Sequence, residues 1–130
     1  MITPTDIANI LYRDCETFGL EIVPQGRTIT GFLKAERLVI HSKKQQSGRI
    51  WKKSFVEVNL CVPDLQPNEA NTIRLNELER IATKQFNDVV GRCDGTSYQY
   101  SIETIGMKQD TDLKCHYVNV RILFEVLNVD

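Results

Sequence analysis

The stretch that most constrains the fold is WKKSFVEVNLCVP, which runs from Trp51 to Pro63. From Val56 onward its apolar and polar residues alternate, with Glu57 and Asn59 at the polar positions. Successive side chains of a strand point to opposite faces of a sheet, so the alternation predicts a half-buried strand with one apolar face. The segment Cys115–Leu127, CHYVNVRILFEVL, shows the same alternation. The sequence therefore predicts two long strands that share one core.

The N-terminal residues carry the signals of a helix start. Thr3 is a capping residue, Pro4 fits the first turn, and Asp6 would meet the positive end of the helix dipole. Gly19 stands where a left-handed residue would end the helix. A second helix is predicted to open near Asn71 and to carry an apolar stripe at helical spacing. That stripe consists of Leu75, Leu78, Ala82, Phe86 and Val89, with Gly91 as the stop.

Shorter segments complete the predicted fold. Strands are expected at residues 20–23, 37–41 and 98–102, and the Asp-, Thr- and Gly-rich residues 106–112 are expected to form a hairpin loop. Short connections favour antiparallel pairing. We therefore expect one α+β domain over residues 1–130, with a mostly antiparallel sheet packed against two main helices. The predicted core brings together Val58, Leu60, Leu78, Ala82, Phe86, Ile122 and Phe124.

Residues 42–48 are polar, without periodicity, and are predicted to be a loop of a wide hairpin. They overlap a run of cations that we call the basic segment, residues 43–53, which contributes +5 and leaves −6 for the remainder of the chain. Trp51 and Phe55 fall on the polar side of the strand pattern, so the strand either carries a bulge or begins beyond the core. Aromatic residues within a cationic rim are typical of interfaces. The candidate protein interface is Lys43, Lys44, Arg49, Trp51, Lys52, Lys53 and Phe55, and the alternative is a solvated hairpin without a partner.

Composition excludes several functional classes. Sixteen basic and 17 acidic residues give a net charge of −1, which argues against a general nucleic-acid binder. No apolar stretch approaches the roughly 20 residues of a membrane span, and the N-terminus lacks a signal-peptide pattern. The four cysteines form no CxxC pair, so neither a zinc ribbon nor a redox motif is indicated, and we expect reduced thiols.

No catalytic constellation is visible. Cys115 and His116 are neighbours in a predicted strand, so their side chains would point to opposite faces. His41 is the other histidine, and Asp110 and Asp112 are expected to be solvated turn residues. There is no phosphate loop and no GxSxG or HExxH motif. We therefore expect no enzyme activity, no metal and no cofactor.

The order of elements resembles that of the tail terminator, or tail-completion, proteins of long-tailed bacteriophages and prophages. The resemblance spans the chain from Pro4 to Val126 and rests on element order and on the strand end E-V-x-L-x-V-P. It runs from a capped helix through WKKSFVEVNLCVP, a polar linker and an amphipathic helix to the strands SYQYS and VNVRILFEV. The segment 26–35 and the lysine-rich loop depart from the family pattern.

The resemblance implies a structural α+β subunit that forms a homo-oligomeric ring, commonly a hexamer, on the last ring of the tail tube. Such a ring caps tube growth and offers a face to the head-completion proteins. It implies localisation in the virion tail, and in the bacterial host cytoplasm during assembly, with neither sequence-specific nucleic-acid binding nor a membrane partner. Two alternatives stay open: another phage neck or minor capsid component, and a small-ligand-binding or enzymatic α+β domain.

Overall fold

The computed structural model describes residues 2–23, 33–42, 46–47 and 51–127. The described helices and strands follow one another in the order α1 (Pro4–Asp14), a 3₁₀ turn (Cys15–Phe18), β1 (Glu21–Ile22), β2 (Arg37–Ser42), β3 (Gln46–Ser47), β4 (Trp51–Pro63), α2 (Thr72–Gln85), β5 (Val89–Cys93), β6 (Thr96–Asp110) and β7 (Cys115–Leu127). The segment 26–35, which departs from the family pattern, lies mostly outside the described ranges.

The strands form one seven-stranded sheet with the order β1-β2-β4-β7-β6-β5, and β3 also pairs with β4. All pairs are antiparallel except β1 and β2, which are parallel. Parallel neighbours require a crossover of about a dozen residues or more, and residues 23–36 supply that length. The α+β class and the mostly antiparallel sheet are therefore confirmed, with β1 as the parallel exception.

The two long strands form the centre of the sheet. All thirteen residues of β4 pair with β7 in one unbroken register, from Trp51 opposite Leu127 to Pro63 opposite Cys115. The start of β4 therefore carries no bulge against β7. The register shift of the sheet lies instead in β6, between Ile102 and Thr104, where it meets β7.

The N-terminal helix begins as its sequence predicts. The backbone N–H of Asp6 donates to the Thr3 hydroxyl at 3.1 Å, and the Thr3 N–H donates to the Asp6 carboxylate at 2.9 Å. This reciprocal pair is a capping box, which satisfies two backbone donors at the helix start. After α1 the chain forms the 3₁₀ turn, and this helical segment ends at Gly19, whose φ is +69°. Glycine adopts this left-handed conformation without a steric penalty.

Both helices lie on one side of the sheet, which we call the inner face. The buried side chains of α1, α2 and alternate positions of β2, β4, β6 and β7 belong to a single cluster. All seven residues of the predicted core are buried in that cluster: Val58, Leu60, Leu78, Ala82, Phe86, Ile122 and Phe124. The valines at alternate positions of β4 and β7 are buried, which confirms that each strand has one apolar, buried face.

Polar contacts fix the end of α1 against the core. The Tyr100 hydroxyl donates to the Asp14 carboxylate at 2.6 Å, and the Arg13 guanidinium donates to the Tyr98 hydroxyl at 3.0 Å. Gln85, at the end of α2, donates to the Asp14 carbonyl at 2.9 Å. Burial raises the pKa of Tyr100, and its hydrogen bond to Asp14 raises that pKa further. These contacts connect α1, α2 and β6 at one corner of the core.

Three predictions for shorter segments were wrong. The stripe of the second helix was extended to Val89, but α2 ends at Gln85 and Val89 begins β5. The predicted hairpin loop 106–112 is mostly strand, because β6 continues to Asp110 with backbone pairing to β7. The predicted loop 42–48 contains β3, which pairs with Lys52 and Lys53, so this part of the hairpin is longer than expected. Polar strands held by backbone hydrogen bonds leave no apolar period in the sequence.

Candidate interaction surface

The side of the sheet opposite the helices is its outer face. Both described helices pack on the inner face, and neither covers the outer one. Most outer-face side chains are half-buried. The outer face includes Val39, His41, Lys53, Phe55, Glu57, Asn59, Cys61, Cys115, Tyr117, Asn119, Arg121, Leu123 and Glu125.

The side chains of the outer face form rows that run across neighbouring strands. Phe55 stands opposite Leu123, and Lys53 stands opposite Glu125. The guanidinium carbon of Arg121 lies 4.3 Å from the centroid of the Phe55 ring, a cation–π distance. Pairs of this kind across strands stabilise a sheet from one side.

Polar rows continue toward the other end of the same strands. Glu57 is paired with His41 on one side and with Arg121 on the other. In the next row, the Asn119 side-chain amide donates to the Asn59 side-chain carbonyl at 2.7 Å. The outer face therefore changes along its strands from a row of Phe55 and Leu123 to charged and amide rows.

The structure places only part of the predicted interface. Phe55 is half-buried on the outer face, under Arg121, and Lys53 is exposed beside it. Trp51 and Lys52 belong to β4, paired in register with Leu127 and Val126. The other three predicted residues, Lys43, Lys44 and Arg49, lie outside the described residues. The assignment of these seven residues to an interface stays a prediction.

A groove of about 310 Å³ lies where the outer face meets the edge of the sheet at β5. We call it the acidic groove because it is bordered by Asp88, Glu103 and Glu125. Apolar lining comes from Leu123 and from Val90, whose side chain is 75% exposed. The remaining lining residues are Val89, Gln99, Tyr100, Ser101 and Ile102.

The groove has no counterpart among the predictions from the sequence, because β5 was not predicted. The signal was present in Asp94-Gly95, since a D-G pair between two strands is the strongest short hairpin signal. Both residues have positive φ, 49° for Asp94 and 74° for Gly95, as such a two-residue turn requires. This turn pairs β5 with β6 from Cys93 opposite Thr96, and so builds the wall of the groove.

The other end of the outer face is partly covered. Leu33, Cys61 and Cys115 form a small buried cluster there, and the Leu33 N–H donates to the Leu113 carbonyl at 2.8 Å. A contact with Cys115 and burial raise the pKa of the Cys61 thiol. Cys115 thus lies on the outer face, whereas the His116 ring contacts the Asp64 carboxylate at 2.7 Å. The predicted separation of these two neighbours is confirmed.

Thiol reactivity is expected to follow this burial. Cys15, Cys61 and Cys115 are buried, whereas Cys93 is partly exposed, and all four are free. Burial disfavours the reactive thiolate and raises the pKa of Cys15. In native protein without reductant, a chromogenic thiol reagent should therefore modify Cys93 about tenfold faster than the others, and all four should react after denaturation. An intramolecular bridge in the intact mass, or equal rates in the native protein, would contradict this prediction.

Comparison with known proteins identifies no family. No family model matches the chain, and no curated protein matches it either. Four chains of solved structure match, and one of them has a TM-score of 0.51 at 14% identity over 92% of this chain and 87% of that chain. At this identity the likeness concerns the fold alone. Among the described residues, no helix is long and apolar enough to cross a membrane.

Proposed function

We propose that this chain is a structural subunit of the tail terminator type, which forms a homo-oligomeric ring at the end of a phage tail tube. The observation that carries the proposal is the outer face of the sheet, which neither described helix covers. Over most of this face the described residues place no second layer, so the face is available for contact with another protein. The resemblance in element order supplies the identity of that partner: further copies of the chain, the tail tube and the head-completion proteins.

The edges of the sheet support self-association. β5 pairs only with residues 96–100 of β6, so in the described part of the chain the rest of β6 has β7 as its one neighbour. At the opposite edge, the described residues show β1 paired with Arg37 and Leu38 of β2 and with no further strand. Unpaired strand edges are templates for pairing with other chains. Two different edges on one subunit suit head-to-tail contacts, which close into a ring when the rotation permits.

The test uses tail tubes assembled from the tail-tube protein of the phage or prophage to which the proposed function assigns this chain. Added to elongating tubes, the purified chain should stop growth, and electron microscopy should show it as a ring at one end of each tube. A ring that matches only one face of the tube ends its head-to-tail growth. Binding along the sides of the tubes, or continued elongation, would contradict the terminator function. Binding to a head-proximal component without capping would favour another neck protein.

A further inference from the structure

We infer that copies of this chain join edge to edge, with β6 of one copy pairing with β2 of the next. The inference rests on the proposed self-association and names the two surfaces that form it. β5 pairs with β6 only as far as Tyr100, whereas β7 pairs with β6 as far as Asp110. Among the described strands, residues 104–110, which we call the β6 edge, therefore have a neighbour on one side only. An unpaired edge of this length is a template for a strand of another chain.

Backbone hydrogen-bonding groups of the β6 edge point away from the sheet at alternate residues. The Val23 N–H donates to the Leu38 carbonyl at 2.9 Å, so Leu38 directs its backbone groups toward β1. Successive residues of a strand direct these groups to opposite sides, and directly opposite residues of an antiparallel pair either both face each other or both face away. Followed through the register of β2, β4, β7 and β6, this alternation turns the backbone of Gly106 toward β7. The outward-facing residues of the β6 edge are therefore Ile105, Met107 and Gln109.

Residues 39–42, which we call the β2 edge, offer matching groups on the other side of the sheet. By the same alternation, Ile40 and Ser42 direct their backbone groups away from β4, and no described strand pairs with them there. The side chains of Ile40 and Ile105 both belong to the core on the inner face. Directly opposite residues of a ladder carry their side chains on the same face. Pairing of the two edges would therefore continue the inner face from one copy into the next.

The directions of the strands suit a closed ring. β2, β4, β7 and β6 form three successive antiparallel pairs, so β2 and β6 run in opposite directions. A second copy that is related by rotation about an axis along the strands keeps these directions, and its β2 meets β6 in antiparallel orientation. The two edges lie on opposite sides of one subunit, so the contact is head to tail, which is the arrangement that closes into rings.

The side chains at the β6 edge favour coverage by a further strand. Met107 is 50% exposed, although its register with the buried Val118 places it on the inner side of the sheet. In a ladder that places Ile40 of the next copy opposite Met107, the two apolar side chains form a cross-strand pair. Such pairs are the units that stabilise a sheet. A second copy of the chain thus supplies both the backbone groups and the apolar side chain that this edge lacks.

Proline substitution at each edge tests this contact. Met107→Pro removes an outward N–H of the β6 edge, and Ser42→Pro removes one of the β2 edge; neither N–H belongs to the ladder inside the subunit. Each variant alone should associate at least about tenfold more weakly than the parent in sedimentation velocity. An equimolar mixture should form a one-to-one dimer that does not grow further, because each variant retains the edge that the other has lost.

The matched control is Thr72→Pro. Thr72 is exposed at the first position of α2, where proline is tolerated, so this variant should associate like the parent. Circular dichroism and thermal unfolding verify that all variants fold. Met107→Lys and Ser42→Lys, which place a charge at the same two edges, take the place of any proline variant that does not fold.

Each outcome decides between contacts. If the parent forms oligomers and both edge variants associate equally well, this contact is wrong while self-association stands. If only one of the two variants loses association, or if their mixture stays monomeric or grows beyond a dimer, the pairing of β6 with β2 is wrong. Loss at Met107 alone would show instead that two β6 edges pair about a two-fold axis. A parent that stays monomeric at every concentration overturns the proposed ring as well.

Discussion

Replacing Phe124 by Ala is expected to lower the free energy of unfolding by about 3–5 kcal/mol. Phe124 is fully buried on the inner face of β7. Its ring centroid lies 5.1 Å from that of Tyr98 and 5.5 Å from that of Tyr100, in stacked geometry. The substitution removes these contacts and leaves a cavity that the polar contacts of both tyrosines keep from collapsing. Urea denaturation with an unchanged m-value measures the effect.

The matched control is Leu123→Ala, the preceding residue of β7, which faces outward and is only half-buried. Its cost should be about 1 kcal/mol or less, because less surface returns to water and no closed cavity forms. Equal costs at the two positions, or a cost below about 1 kcal/mol for Phe124, would refute the assignment of inner and outer faces.

Replacing Gly91 by Ala is expected to cost about 1–3 kcal/mol, although β5 is an edge strand. A Cβ atom at Gly91 would lie 2.4 Å from the Tyr98 hydroxyl oxygen and 2.5 Å from the ring carbon that bears it. Tyr98 has little room to move because it is 3% exposed, stacks on Phe124 and accepts a hydrogen bond from Arg13. Either the tyrosine or β5 must shift.

Gly106→Ala provides the control for this prediction. Gly106 also lies in a strand, but a Cβ atom there meets nothing within 4 Å. Alanine restricts the unfolded chain without a clash, so this variant should be neutral or more stable by about 0.5–1 kcal/mol. Thermal unfolding of both variants separates the two cases. A Gly91 variant as stable as the Gly106 variant would show that Tyr98 is not held in place.

The sequence predicts those parts of the fold in which burial or local capping leaves a regular pattern of residue types. Apolar and polar residues alternate over 56–62 and 118–126 because one face of each strand is buried under the helices. The start of α1 was predictable because Thr3 and Asp6 form a capping box from residues that are close in sequence. β3 and the far half of β6 have no such signature, because their polar residues are held by backbone pairing to a neighbour. The polar residues of these strands reflect exposure to solvent, so their sequence gives no sign of the pairing that holds them in the sheet.

The sequence predicts residue types for the candidate surface but not which of those residues contact one another. Phe55 stood out because it breaks the apolar pattern, but its partner Arg121 is far away in sequence and meets it only through the β4–β7 register. The acidic groove requires β5, β6 and β7 to be paired first, so Asp88, Glu103 and Glu125 carry no common signal in the sequence. Pairing between distant strands is the information that local patterns lack.

The oligomeric state of the purified chain tests the central claim most directly. Native mass spectrometry over a range of protein concentrations, combined with negative-stain electron microscopy, measures the stoichiometry and the shape of any assembly. We expect one closed homo-oligomer that accumulates at high concentration and appears as a ring, because head-to-tail contacts between sheet ends close on themselves. A chain that remains monomeric throughout, or that forms only a two-fold dimer, would contradict the account.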